Sequence, residues 1–113
     1  MRIEVDAQLV TIYLNNGDQY HGRPLYSAVV ELCRERGIAG ATVMRCNEGY
    51  GASRKVHTTR ILELSEDLPV RIEIIDLKER IDRVLPELEK MIGEGLITFR
   101  DVHILRFLED PKG

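Results

Sequence analysis

The sequence predicts a single α+β domain whose elements run β-α-β-β-α-β, and three observations predict it. Apolar residues recur at helical spacing in two places, residues 25–33 and 81–92. Four stretches rich in β-branched and aliphatic residues flank them, at 7–14, 41–46, 70–75 and 102–107. The chain has 113 residues, of which 43% are hydrophobic and 31% charged, and this suits one ordinary globular domain.

The first strand, 7–14, ends at the turn signal Asn15-Asn16-Gly17-Asp18. Pro24 suits the first turn of a helix, where a missing backbone donor costs nothing. Leu25, Ala28, Val29, Leu32 and Cys33 then share one helical face. Gly37 closes this helix, with Arg34 and Arg36 near its negative end. The second strand is 41–46. Residues 47–55 carry no core pattern, and 56–64 can return to extended structure as an extra hairpin. A turn at 65–69 leads into the third strand, 70–75, with Val70, Ile72 and Ile74 on one side.

Asp76 and Glu79 have the spacing of a capping box at the start of the second helix. Ile81, Val84, Leu85, Leu88 and Ile92 form its apolar stripe. Pro86 falls inside it and should kink or break it. Gly93 and Gly95 end the helix. The last strand is 102–107, and 108–113 reads as a loose tail. Two βαβ units give a ferredoxin-like sandwich with both helices on one face of the sheet. The first and last strands are apolar on both sides, which suits a sheet covered on both faces. One layer of helices covers one face, so a second subunit is the expected cover of the other.

The net charge of −3 disfavours non-specific binding to nucleic acid or anionic membrane. No apolar run approaches the ~18 residues of a membrane span. The first residues, Met1-Arg2-Ile3-Glu4, lack the basic start and apolar core of a signal peptide, so a cytoplasmic protein is expected. Two cysteines, Cys33 and Cys46, are too few for a disulfide framework and read as reduced thiols.

The most informative local feature runs from Cys46 to His57. Gly49 and Gly51 bracket Tyr50, and Ser53, Arg54, Lys55 and His57 follow. Glycines let backbone approach a ligand, successive N–H groups can cradle an anion, and arginine suits a phosphate. The same spacing fits a solvated surface loop, and no Walker pattern is present. A second cluster, Tyr20-His21-Gly22-Arg23, precedes the first helix, where anions are favoured. Tyr20 could stack on a base and Arg23 could reach a phosphate; packing of Tyr20 on the sheet is the plainer alternative. His21, His57 and His103 show no metal-ligand spacing. No nucleophile and base can be paired, so an enzyme is not expected. No helix is basic along one face, so neither is a nucleic-acid surface.

Several segments together resemble a known family. They are Gly37-Ile38-Ala39-Gly40-Ala41-Thr42-Val43, Gly49-Tyr50-Gly51, His57-Thr58, the stretch from Asp67 to Glu73, Glu94-Gly95-Leu96-Ile97-Thr98, and the Tyr20–Tyr26 cluster. They resemble the PII superfamily and, more closely, the PII-like domain-of-unknown-function family one hundred and ninety. The resemblance implies a homotrimer with ligand sites in the clefts between subunits. It implies an adenine nucleotide (AMP, ADP or ATP) as ligand, no required cofactor, and a protein target such as a membrane transporter or channel. On that basis Gly40, Ala41 and Thr42 would line the adenine side, and Gly49 and Gly51 would lie near the phosphates. Arg54 is displaced by two residues from the family's basic residue. The family's Gly-Asp-Gly-Lys phosphate turn before the last strand is missing, with Thr98-Phe99-Arg100-Asp101 read near that place. Its paired C-terminal arginines are missing too. Phosphate binding would have to be rebuilt from Arg23, Arg45 and Arg54. The alternative is a trimer of the related cation-tolerance type, structural or binding a divalent metal.

Overall fold

The computed structural model describes residues 1–49, the backbone of 57–58, and residues 68–109. Its elements are β1 (Arg2–Asn15), β2 (Gln19–Tyr20), β3 (Arg23–Pro24), α1 (Leu25–Glu35), β4 (Gly40–Arg45), β5 (Glu48–Gly49), β6 (His57–Thr58), β7 (Pro69–Asp76), α2 (Lys78–Met91) and β8 (Leu96–Phe107). The main sheet has the order β4-β7-β1-β8, and every pair is antiparallel. This is the predicted ferredoxin-like sandwich. The hairpin expected after the second strand is the β5–β6 pair, Glu48 opposite Thr58 and Gly49 opposite His57.

Alternation along the strands places Val10, Ile12 and Leu14 beside Val70, Ile72 and Ile74 on one face. Leu25, Val29 and Cys33 of α1 and Ile81, Val84 and Leu88 of α2 join them in one buried cluster. Both helices therefore cover the same face. Ile12, Ile72 and Ile74 are wholly buried, and each is worth about 1.5–3 kcal/mol of burial. Burial also pushes the Cys33 thiol up to about 11, so it serves as packing rather than as a nucleophile. Leu32 and Leu85, placed on the helical stripes by spacing, are only partly buried.

Several boundaries and local roles differ from expectation. α2 runs unbroken through Pro86. Pro86 and Asp82, whose carbonyl loses its partner, both lie on the exposed side, where water can satisfy that carbonyl. α2 starts after Leu77, not Asp76, and has no side-chain cap. Asp76 is instead a buried clasp: its carboxylate accepts from the backbone N–H of Leu77 at 2.7 Å and of Ala39 at 2.9 Å. It thus ties the entry of β4 to the exit of β7. Ile92 is the residue after the helix, not part of it.

The two outer strands of the chain are longer than predicted. β1 begins at Arg2 and β8 at Leu96, so Thr98-Phe99-Arg100-Asp101 lies inside a strand. β1 meets β7 only over Gln8–Asn15, whereas it meets β8 from Arg2 to Tyr13. Residues 2–7 and 102–107 therefore form a two-stranded ribbon beyond the four-stranded sheet. His103 sits across it, with Nε2 at 2.8 Å from Glu4 and Nδ1 at 2.9 Å from Asp6. Hydrogen bonds first to Glu4 and then to Asp6 raise its pKa above the ordinary 6.5.

Two outcomes are expected. Asp76→Ala removes two hydrogen bonds to a charged acceptor and should cost about 1.5–3 kcal/mol in urea unfolding. The His103 contribution has the opposite sign to a carboxylate's. Its folded pKa is raised, so the stabilisation is complete below about 6.5 and is lost as pH rises through the raised value. Melting temperature should fall over that window, and His103→Gln should remove that part of the pH dependence.

Candidate functional site

An antiparallel sheet gathers alternate strand ends at one edge of the molecule. Here the C-terminal ends of β1 and β4 and the N-terminal ends of β7 and β8 share one end. The β4–β5 exit leaves from this end. Cys46 N–H donates to the Pro69 carbonyl at 3.0 Å. Gly49 stands so close to Pro69 that a Cβ there would lie 3.1 Å from the proline Cγ. The base of the 47–58 segment is thus seated on Pro69.

Pro69 is also a wall of the larger cavity, about 660 Å³, at the same end of the sheet. Its other apolar walls are Leu14, Leu25, Met91 and Leu96. Polar groups enter from Asn15, Asp18, Gln19 and Glu94. Asp18 is positioned by its own turn: its carboxylate accepts from Asn15 N–H at 3.0 Å, and its carbonyl accepts from Leu25 N–H at 2.7 Å. The floor is the turn Gly93-Glu94-Gly95. A Cβ at Gly95 would meet the Tyr13 carbonyl oxygen at 3.0 Å and Leu14 at 3.1 Å, so only glycine lets the turn lie this close to β1.

The predicted residues fall into separate groups. Gly40, Ala41, Thr42 and Arg45 lie on β4, an edge strand. Arg45 is already engaged, donating to the Tyr26 hydroxyl at 2.9 Å with its guanidinium 5.7 Å from that ring's centre. Gly49 and His57 pair across β5 and β6. Tyr50, Gly51 and Arg54 lie outside the described residues. Tyr20, His21 and Arg23 form not a loop but a hairpin, closed by His21 at φ 50° and Gly22 at φ 79° as a type I′ turn requires. The Tyr20 and His21 rings stack at 4.1 Å. Tyr20 and Arg23 line a smaller cavity of about 320 Å³ between the helices, among Glu31, Glu35, Glu87 and Lys90. Tyr26, at the foot of the hairpin, carries the contact to Arg45.

Sequence reading missed Asn15, Asp18, Gln19 and Glu94. The one local signal was Gly93-x-Gly95. Because β8 begins at Leu96, the turn before the last strand is Gly-Glu-Gly followed by Leu96, not the 98–101 stretch. It resembles Gly-Asp-Gly-Lys with glutamate for aspartate and leucine for lysine. Among the described residues, no group of three or more His, Cys, Asp or Glu could hold a metal ion.

Fold and site together define a PII-like domain: a βαββαβ sandwich with a cavity and a glycine-bearing loop base at one end of the sheet. A PII-like signalling protein of Thermus thermophilus superposes with a TM-score of 0.67 at 22% identity, covering 89% of this chain and 91% of that one. CPII of Thiomonas intermedia, bound to ADP, AMP and acetate, superposes with a TM-score of 0.64 at 13% identity, covering 90% and 91%. The chain belongs to the family DUF190, described as "Uncharacterized ACR, COG1993", whose model matches residues 7–104. A UPF0166 protein of Aquifex aeolicus is 38% identical over 105 residues, 93% of this chain and 98% of the relative. A UPF0166 protein of Methanocaldococcus jannaschii is 40% identical over 103 residues, 90% and 94%.

The tight approach at Gly95 generates a paired expectation. Gly95→Ala should lose about 1–3 kcal/mol in denaturant unfolding, the cost of overpacking. A Cβ at Gly93 meets nothing within 4 Å, so Gly93→Ala should be neutral or gain up to about 1 kcal/mol.

Proposed function

We propose that this protein is a PII-like ligand sensor. It assembles as a homotrimer, binds an adenine nucleotide in the cleft between subunits, and uses the 47–58 segment to signal occupancy to a protein target. The observation that carries the reading is the shared Pro69. One side of Pro69 faces the 660 Å³ cavity, and Gly49, at the base of the segment, rests on it. A ligand that fills the cavity can thereby bias the segment through direct contact, as differential affinity for two states requires.

Three further facts support it. CPII, a protein of the same fold, is bound to ADP and AMP. The relatives are described as PII-like signalling or uncharacterised proteins, not as enzymes. The sheet face away from the helices exposes Ile3, Tyr13 and Leu96, which neighbouring subunits would cover. No helix among the described residues is long and apolar enough to cross a membrane, so a transporter or channel target would be met as a separate protein. We place the trimer in the cytoplasm, consistent with its free cysteines.

Thermal unfolding with AMP, ADP and ATP tests the reading. A ligand at one hundred times its dissociation constant should add about 2.7 kcal/mol, and sedimentation should give three times the 12.9 kDa chain mass. A melting temperature indifferent to all three nucleotides would end the proposal.

A further inference from the structure

We infer that the cavity at the end of the sheet receives the nucleoside end of the ligand, base and ribose, and keeps the phosphates outside. This rests on the nucleotide reading above and adds the orientation and the selecting groups. The first ground is charge. Asp18 and Glu94 bring two carboxylates to the wall, and no Lys, Arg or His stands among the described residues that line it. A phosphate placed here would face like charge from these two groups, with no counter-ion among the described lining residues. Hydroxyl and amino groups of a nucleoside are donors, and carboxylates are acceptors only, so the two sets match.

The second ground is the remainder of the lining. Leu14, Leu25, Pro69, Met91 and Leu96 provide apolar walls for a flat base. The amides of Asn15 and Gln19 each offer both a donor and an acceptor, which a base edge needs. The volume falls within the range of small-molecule sites. The third ground is Leu96. It follows the turn Gly93-Glu94-Gly95 directly and, 59% exposed, sets an apolar residue rather than a cation at the cavity rim.

Titration calorimetry with adenosine, AMP and ATP, on the full chain and on Glu94→Lys, tests the orientation. Glu94 is exposed, so the variant should fold, and Glu94→Gln gives a milder control. The expected result is that adenosine binds the unmodified protein and binds Glu94→Lys about tenfold more weakly, the scale of one lost hydrogen bond to a charged group. Three results overturn the orientation while leaving the nucleotide reading in place. They are ATP binding without adenosine binding, ATP tightened tenfold by Glu94→Lys with adenosine unchanged, and less than a twofold change for either ligand. Silence from all three ligands on the unmodified protein overturns the nucleotide reading itself and the orientation with it.

Discussion

The structure depends on the unbroken antiparallel pairing of β1. This strand is central, with β7 on one side and β8 on the other, and neither ladder contains a bulge. A slip of one residue would carry Val10, Ile12 and Leu14 from the helix face to the open face and reverse every strand that pairs with it. The register also decides where the site lies. It brings Asn15 level with Pro69 on one side, and Tyr13 level with Leu96 on the other. Three segments far apart in sequence thereby become three walls of one cavity.

The same strand explains why the protein is expected to associate. Its helix-facing residues are sealed by α1 and α2. Its other face exposes Ile3 and Tyr13, with Leu96 of the edge strand β8 beside Tyr13, while Phe99, Leu105 and Phe107 are exposed on the side of β8 that Val10 shares. Among the described residues the ribbon of 2–7 and 102–107 has no third strand, and a lone two-stranded ribbon is marginal in water. The carboxylates of Glu4 and Asp6 hydrogen-bond His103 across it, in a place where packing supplies little. A neighbouring subunit would supply that packing and, in the proposed trimer, would complete the cleft.

Much of this architecture was legible, because the dominant signal is periodicity. Val70, Ile72 and Ile74, and the stripe of Ile81, Val84 and Leu88, can face a core in only one way. The errors have physical causes. Arg2-Ile3-Glu4-Val5-Asp6 alternates perfectly, yet its charges look like a tail until β8 is there to pair with it. Thr98-Phe99-Arg100-Asp101 belongs to an edge strand, where half the positions face water and the apolar pattern fades. Asp76 has cap spacing, but its second partner, Ala39 N–H, comes from 37 residues away and cannot be read locally. The cavity was illegible for the same reason. Asn15, Asp18 and Glu94 are ordinary turn residues until tertiary structure makes them converge, and only the glycine pair at 93 and 95 hinted at a close approach.

The candidate residues read from sequence and those supplied by the structure divide along a chemical line. Sequence reasoning sought phosphate and so found cations: Arg23, Arg45 and Arg54. The structure gives Arg45 to Tyr26 and leaves Arg23 exposed on the hairpin, among the carboxylates of the smaller cavity. The larger cavity offers acceptors, amides and apolar walls. A ligand that is anionic at one end and a hydrogen-bond donor at the other would satisfy both regions, and a nucleotide is such a molecule. Binding strength would then come from burying the base among apolar side chains, a term nearly independent of salt, while charge at the loop base would tune which phosphate state is favoured. Such a division lets a sensor keep its grip on the nucleoside while remaining responsive to how many phosphates it carries. The Pro69–Gly49 contact is where that response would reach the loop.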